Sequence, residues 1–221
     1  MLLFRNFDTV VSYTTRPMRD GETDGKEHYF IDKDTSKKII SNETICAITI
    51  IGEYTYFVTK DEITNRKKNL YVIDPQGLYF LLENYGNLRN YVVIYVKSLD
   101  STREERAKQR AGYNERVYKD RVNAEKYQFD RFEVKINNAY YTAKTKTPMH
   151  TVYNNGNDLK PVMKDVENII SQYPNNTMFL IVGRSCSGKD TICRELVNKN
   201  ERFKKCLNSV LSFLHIMPKT E

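Results

Sequence analysis

The sequence predicts an α/β fold: a central parallel sheet flanked by helices, a small and mostly antiparallel subdomain, and a charged helical hairpin. Three observations carry this. Apolar runs at 69–74 (NLYVID), 90–96 (NYVVIYV) and 177–182 (TMFLIV) suit strands buried on both faces. Segments with helical character alternate with them, which argues for a parallel sheet covered on both sides. The N-terminal part instead carries short β-branched and aromatic pieces separated by turn residues.

In chain order, 10–15 (VVSYTT) reads as a strand and 16–34 as a loop rich in Arg, Gly, Asp and Glu. Strand-like pieces follow at 28–31, 45–51 and 54–59, with Gly52 as a turn signal between the last two. Gly77 opens a helical segment. Residues 101–127 are Arg-rich and lack apolar runs, so they predict an exposed helical hairpin. FEVKIN at 132–137 reads as a further strand. Val162, Val166, Ile169 and Ile170 share one face of a helix over 159–173. The last readable unit is strand, glycine loop, helix.

The chain has 221 residues, 40 % hydrophobic and 29 % charged, as in a folded globular protein. Its apolar runs are far too short to span a bilayer, and MLLFRNFDTVVSY has no signal-peptide pattern. Cys46, Cys186, Cys193 and Cys206 form no CxxC pair, so neither a zinc site nor a disulfide framework is expected, and a cytoplasmic setting is. The formal charge of +7 and pI near 9.1 favour polyanionic partners. No stacking-aromatic motif marks a nucleic-acid site, so no specific nucleic acid is expected.

The strongest local signal is Gly183-Arg184-Ser185-Cys186-Ser187-Gly188-Lys189-Asp190-Thr191. It fits GxxxxGK between an apolar strand and a helix, the context a phosphate-binding loop requires. The glycines let the chain turn so that amides face inward, and the helix N-terminus adds a positive end. Lys189 would reach the β- and γ-phosphates of a nucleoside triphosphate. Asp190 stands where a metal-binding Ser or Thr is usual, and Thr191 follows it. Asp190 either helps hold Mg2+ or repels phosphate.

The second signal runs from Ser12 to Phe30: Ser12-Tyr13-Thr14-Thr15-Arg16-Pro17-Met18-Arg19-Asp20-Gly21-Glu22, then Gly25-Lys26-Glu27-His28-Tyr29-Phe30. Two forked donors, Arg16 and Arg19, flanked by hydroxyls can grip a phosphate. The string resembles the monophosphate-binding segment of guanylate kinases, close to S-x-T-T-R-x-x-R-x-G-E-x-x-G-x-x-Y-x-F. His28 takes the place of that pattern's Tyr, with Tyr29 beside it as a substitute. Ile73-Asp74-Pro75-Gln76-Gly77 is similar to the family's I-D-x-Q-G. The family's guanine-reading Glu has no clear counterpart: Cys46 or Thr49 falls there, with Glu43 and Glu53 as displaced candidates.

The resemblance implies a P-loop kinase core and an ATP- and Mg2+-dependent transfer to GMP or dGMP. It places Ser12, Arg16, Arg19, Glu22, His28, Tyr29, Tyr56, Thr59, Asp74 and Gly77 at the acceptor. It makes Arg103–Arg110 and Arg121 a lid, with Arg106, Arg110 and Arg121 at the ATP phosphates. Asn137, closing FEVKIN, would lie near the adenine. Lys189, Arg16, Arg110 and Arg121 would carry the transfer, and Asp74, Asp190 and Thr191 the metal. The implied division is 1–11 core strand region, 12–68 acceptor subdomain, 69–100 core, 101–127 lid, 128–173 core, 177–200 loop strand and helix, and 201–221 an unassigned tail.

In the family the P-loop precedes the TTR segment, whereas here it follows everything else. That order implies a circular permutation, or a reading across two adjacent gene copies. The loop strand is expected in the middle of the sheet, beside 70–73 and 92–96. The product is then a monomer with a complete site or a strand-swapped dimer. The alternative reading is a non-catalytic, guanylate-kinase-like protein-binding module.

Overall fold

The computed structural model describes residues 7–199 apart from 66, 68, 111 and 143–146, and omits the side chains at 137 and 139–142. The expected tail 201–221 lies outside the described residues. Two four-stranded sheets form the frame. The smaller contains β1 (Ser12–Thr14), β2 (His28–Phe30), β3 (Ile45–Ile51) and β4 (Tyr54–Thr59) in the order β2-β1-β4-β3. It is antiparallel except where β1 meets β2. Gly52, at φ 62°, makes the turn between β3 and β4, a conformation that disfavours a side chain.

The larger sheet contains β5 (Leu70–Val72), β6 (Tyr91–Lys97), β7 (Met149–Tyr153) and β8 (Met178–Val182) in the order β5-β8-β6-β7. All its pairings are parallel. The last strand in sequence therefore lies inside the sheet, with Ile181 in register with Val72 on one side and Ile94 on the other. Residues 7–11 run along the outer side of β5, where the Val10 amide donates to the Leu70 carbonyl at 2.8 Å.

The helices are α1 (Lys33–Asn42), α2 (Lys60–Thr64), α3 (Pro75–Tyr85), α4 (Asp100–Lys108), α5 (Glu115–Gln128), α6 (Phe132–Thr142), α7 (Lys160–Ser171) and α8 (189–199). Strand β8 explains why its sequence is apolar throughout. Met178, Leu180 and Val182 join Leu78, Leu81, Phe132 and Ile136 in one core. Phe179 and Ile181 face the other way, into Val166, Ile170, Ile192 and Leu196. The pleat sends alternate side chains to opposite faces, so a strand covered on both sides has no position for a polar residue. Truncating Ile181 to Ala would cost about 2–5 kcal/mol.

The FEVKIN segment departs from expectation, because it is the first part of helix α6 and not a strand. Phe132 and Ile136 are buried one helical turn apart, while Val134 is exposed. Alternating Phe, Val and Ile suggested period two, but the i, i+4 pair packing toward α3 decides the outcome. Helix α1 has no apolar stripe to announce it. It is started by the Asp32 side chain, which accepts from the Thr35 amide at 2.6 Å.

Candidate functional site

The carboxyl ends of β5, β8 and β6 lie side by side, as their register requires. Open parallel sheets bind ligands along this edge. From β8 the chain enters the glycine loop. A side chain on Gly183 would meet Ser187 Oγ at 2.5 Å and the Val96 carbonyl at 2.6 Å, so only glycine fits. Gly188 has φ 94°, and a Cβ there would run into the Asn154 amide group. Cys186 is left-handed at φ 62°, a strained conformation for a residue with a side chain.

The loop's carbonyls are held from outside. Asn154 Nδ2 donates to the Ser187 carbonyl at 2.8 Å, and Ser98 Oγ, which donates to the Asn154 carbonyl at 2.7 Å, lies 3.2 Å from it. Arg106 Nη1 lies 3.4 Å from the carbonyls of both Cys186 and Ser187. Arg103 Nη1 donates to the Ser185 carbonyl at 3.3 Å. In a trans peptide C=O and N–H point opposite ways. Drawing these oxygens outward therefore turns the Cys186 and Gly188 amides to the other side. Helix α8 begins at Lys189 and adds its positive end. Lys189 is half-buried rather than exposed, Asp190 is exposed and Thr191 is half-buried. Ser187 Oγ is buried and has no partner among the described residues. Glycine-only positions, inward amides and an unpaired hydroxyl fit a phosphate chain.

Across the edge, Asp74 caps α3, its Oδ1 accepting from the amides of Gln76 at 2.9 Å and Gly77 at 3.1 Å. Gly77 is buried and its amide is committed to that cap. A Cβ on it would stand 3.2 Å from Thr49 Oγ1, so its role is close packing of α3 on β3. Among the described residues no three His, Cys, Asp or Glu side chains gather around one point. Asp74, capping α3 after β5, and Asp190 with Thr191, in the first turn of α8, carry oxygens of the type Mg2+ takes, which is typically one or two protein carboxylates plus phosphate oxygens.

On the small sheet, Arg16 is buried and forked onto Glu22, both contacts at 2.9 Å, and its Nη1 also donates to the Pro17 carbonyl at 2.7 Å. Its guanidinium lies 5.4 Å from the Phe30 ring centre. Burial opposes ionisation of Arg16, but the Glu22 hydrogen bond and charge outweigh it and hold its pKa above the usual value. Arg19 moves the other way, lowered by burial and then by the charges of Arg16 and Arg121. Arg121 of α5 thus belongs to the same charge cluster as the small sheet's arginines. Ser12 Oγ pairs with His28 Nδ1 at 2.9 Å. Burial, then the Arg16 charge, holds His28 below its ordinary pKa, while the nearby Asp190 charge works against them. The small sheet therefore feels both the loop helix and the hairpin.

The hairpin α4–α5 is less exposed than its sequence implies. Arg103 is 1 % exposed and Glu125 7 %. They pair at 3.1 Å, and Asp100 takes Arg103 Nη2 at 2.8 Å. Arg106 also reaches Asn154 Oδ1 at 3.2 Å and the Gly156 carbonyl at 2.6 Å. Arg110 and Arg121 are exposed.

The sequence profile described as Guanylate kinase matches residues 3–173. This chain belongs to the guanylate kinase family. A guanylate kinase of Helicobacter hepaticus is 31 % identical over 98 residues, 42 % of this chain and 49 % of the relative. One from Wigglesworthia glossinidia brevipalpis is 26 % identical over 150 residues, 63 % of this chain and 72 % of the relative. A crystal structure of guanylate kinase from Anaplasma phagocytophilum aligns with a TM-score of 0.47 at 19 % identity, covering 77 % of each chain. Among the first of these curated relatives the chain spans about half of their length. The profile stops before the glycine loop at 183–191.

Within this guanylate kinase frame some expected site residues need correction. Tyr29 is no substitute for His28. His28, Phe30 and Tyr56 share one face of the small sheet, whereas Tyr29 packs with Tyr13 and Phe57 on the opposite one. Cys46 is fully buried, its thiol pushed up to about 11 by burial, and presents no carboxylate equivalent. Thr49 and Thr59 are buried, and Glu53 sits on the exposed hairpin paired with Lys33 at 3.4 Å. The Asn137 side chain lies outside the described residues and its backbone is helical. The strand that ends on an Asn beside the loop is β7, with buried Asn154 after it. The β-branched and aromatic run Thr151-Val152-Tyr153 was the available signal. Arg103, Ser98 and Glu125 were not singled out as site residues, since their partners lie far along the chain.

Proposed function

We propose that this chain transfers the γ-phosphoryl group of ATP to GMP or dGMP. The observation that carries the reading is the place of β8: its glycine loop emerges at the sheet edge between the ends of β5 and β6, and Asp190 just after the loop acts on the charge of His28 in the small sheet. Such a transfer runs on positioning and charge neutralisation and needs no strong base.

ATP would supply the phosphoryl group, and Mg2+ would offset its charge. Gly183, Arg184, Ser185, Cys186, Ser187, Gly188 and Lys189 form the donor cradle, with Asp190, Thr191 and Asp74 toward the metal. Arg19, Ser12, His28 and Tyr56 line the acceptor face, and Arg16, fixed by Glu22, is the second arginine there. Arg110 and Arg121 lie on the lid, residues 101–127, which closes over the phosphates. Asn154 takes the adenine-side role that the resemblance gave to Asn137. The small sheet, 12–68, is the acceptor subdomain.

The chain order follows from the same reading. Residues up to Tyr173 correspond to the family from after its first helix to its end, and 177–200 to its beginning, a circular permutation. The short Pro174–Asn176 link supports it, since β8 enters the sheet of its own chain. A single chain then holds the whole cleft, as a monomer. Steady-state turnover with ATP and Mg2+ across all nucleoside monophosphates tests the proposal. GMP or dGMP should be the best acceptor, and no turnover with any monophosphate would refute it.

A further inference from the structure

The glycine loop is held on its outer side by a buried ion pair from two different helices. Glu125 Oε1 accepts from the Ser185 amide at 2.7 Å. Its Oε2 accepts from Arg103 Nη1 at 3.1 Å, and the same Nη1 reaches the Ser185 carbonyl at 3.3 Å. Both backbone groups of Ser185 are therefore taken by one carboxylate–guanidinium pair, directly before the left-handed Cys186. A carboxylate accepting a backbone N–H in a buried site makes a strong, charge-assisted bond. Asp100 also pairs with Arg103, so the guanidinium keeps a counter-charge if Glu125 is lost.

We propose that Glu125 is a positioning residue for the glycine loop: with Arg103 it clamps Ser185, so that helices α4 and α5 set the shape of the phosphate cradle. The clamp acts on the donor side alone. Among the described residues the hydrogen bonds of Glu125 go to the Ser185 amide and to Arg103. A buried ion pair adds little net stability, and its value here is to fix one backbone geometry. The kinetic side of the proposal rests on the ATP-dependent reading above.

The test compares Glu125→Ala with Glu125→Gln. Gln keeps an oxygen for the Ser185 amide and loses the charge. In the nucleotide-free protein, NMR-detected exchange of the Ser185 amide should quicken about tenfold or more in Glu125→Ala and much less in Glu125→Gln. In turnover, Glu125→Ala should raise KM for ATP about tenfold, with KM for the monophosphate within about twofold. Glu125→Gln should recover most of that loss. An unchanged Ser185 exchange rate, or equal rises in both KM values, overturns the clamp. If Glu125→Ala fails to fold, Glu125→Asp, one methylene too short for the Ser185 amide, replaces it: an unchanged Ser185 exchange rate there overturns the clamp. An inactive wild type defeats the kinase reading, while amide exchange still decides the clamp.

Discussion

In the proposed reading the two sides of the cleft hold phosphate by different means. On the small sheet the charge is local: Arg16 is fixed by Glu22, six residues away, and the pair forms within one loop. At the glycine loop the cationic side chains act through the backbone. Arg103 and Arg106 hold its carbonyls from 80 or more residues away in sequence, and Asn154 does so from 33. One side would meet a ligand with its side chains. The other uses side chains as external braces so that amides, Lys189 and a helix end face inward.

The largest expected effect removes Lys189, the cation that the proposed reading sets against the phosphates. Lys189→Ala should lower kcat by about 10²–10³ or more, as losing a preorganised charge on the moving group does. Its melting temperature should stay within a few degrees, because a half-buried Lys supports no core. A large drop in melting temperature would mean that Lys189 is part of the frame.

Arginine replacements sharpen the contrast between the sides. Arg19→Ala should raise KM for the monophosphate by an amount worth about 2–3 kcal/mol, leaving KM for ATP nearly unchanged. Arg16→Ala should do the same and also loosen the loop over 16–22, since Glu22 loses its partner. Equal effects on both substrates would place these arginines outside the acceptor site. Asn154→Ala is the smaller, donor-side counterpart. It removes the shortest hydrogen bond to the Ser187 carbonyl and should cost about 1 kcal/mol, expressed in KM for ATP.

These contrasts also mark what the sequence could disclose. The glycine loop, the two-arginine string and the apolar strands are local patterns, and the structure puts β8 beside β5 and β6 as the run MFLIV suggests. FEVKIN misled because alternation over six residues cannot distinguish a strand from a helix with an i, i+4 contact. Arg103 and Glu125 were hidden in a run of charges, where a buried pair looks the same as a solvated one. Tyr29 looked interchangeable with His28 until the pleat assigned them opposite faces. The pattern fails wherever the partner comes from another part of the chain.

The smallest effect concerns pH. Burial by itself would raise the Glu22 carboxyl, but the Arg16 hydrogen bond and the Arg19 amide outweigh it and hold it below the ordinary 4.5. A carboxylate lowered in the folded state stabilises fully above that ordinary value, and its contribution is lost as pH falls through the lowered one. Melting temperature should therefore fall below about pH 4.5 in part through this pair, and Glu22→Gln should flatten that part of the profile. An identical acid limb in the variant would show that the pair carries no share of it.

The central claim is that a glycine loop at one end of the chain and an arginine string at the other form one phosphoryl-transfer cleft. Calorimetric titration with a bisubstrate analogue, adenosine and guanosine joined through five phosphates, addresses it most directly. One analogue should bind per chain, more tightly than ATP or GMP alone, with affinity falling about tenfold or more in both Lys189→Ala and Arg19→Ala. An analogue that binds no better than ATP, or that is indifferent to Arg19→Ala, would contradict it.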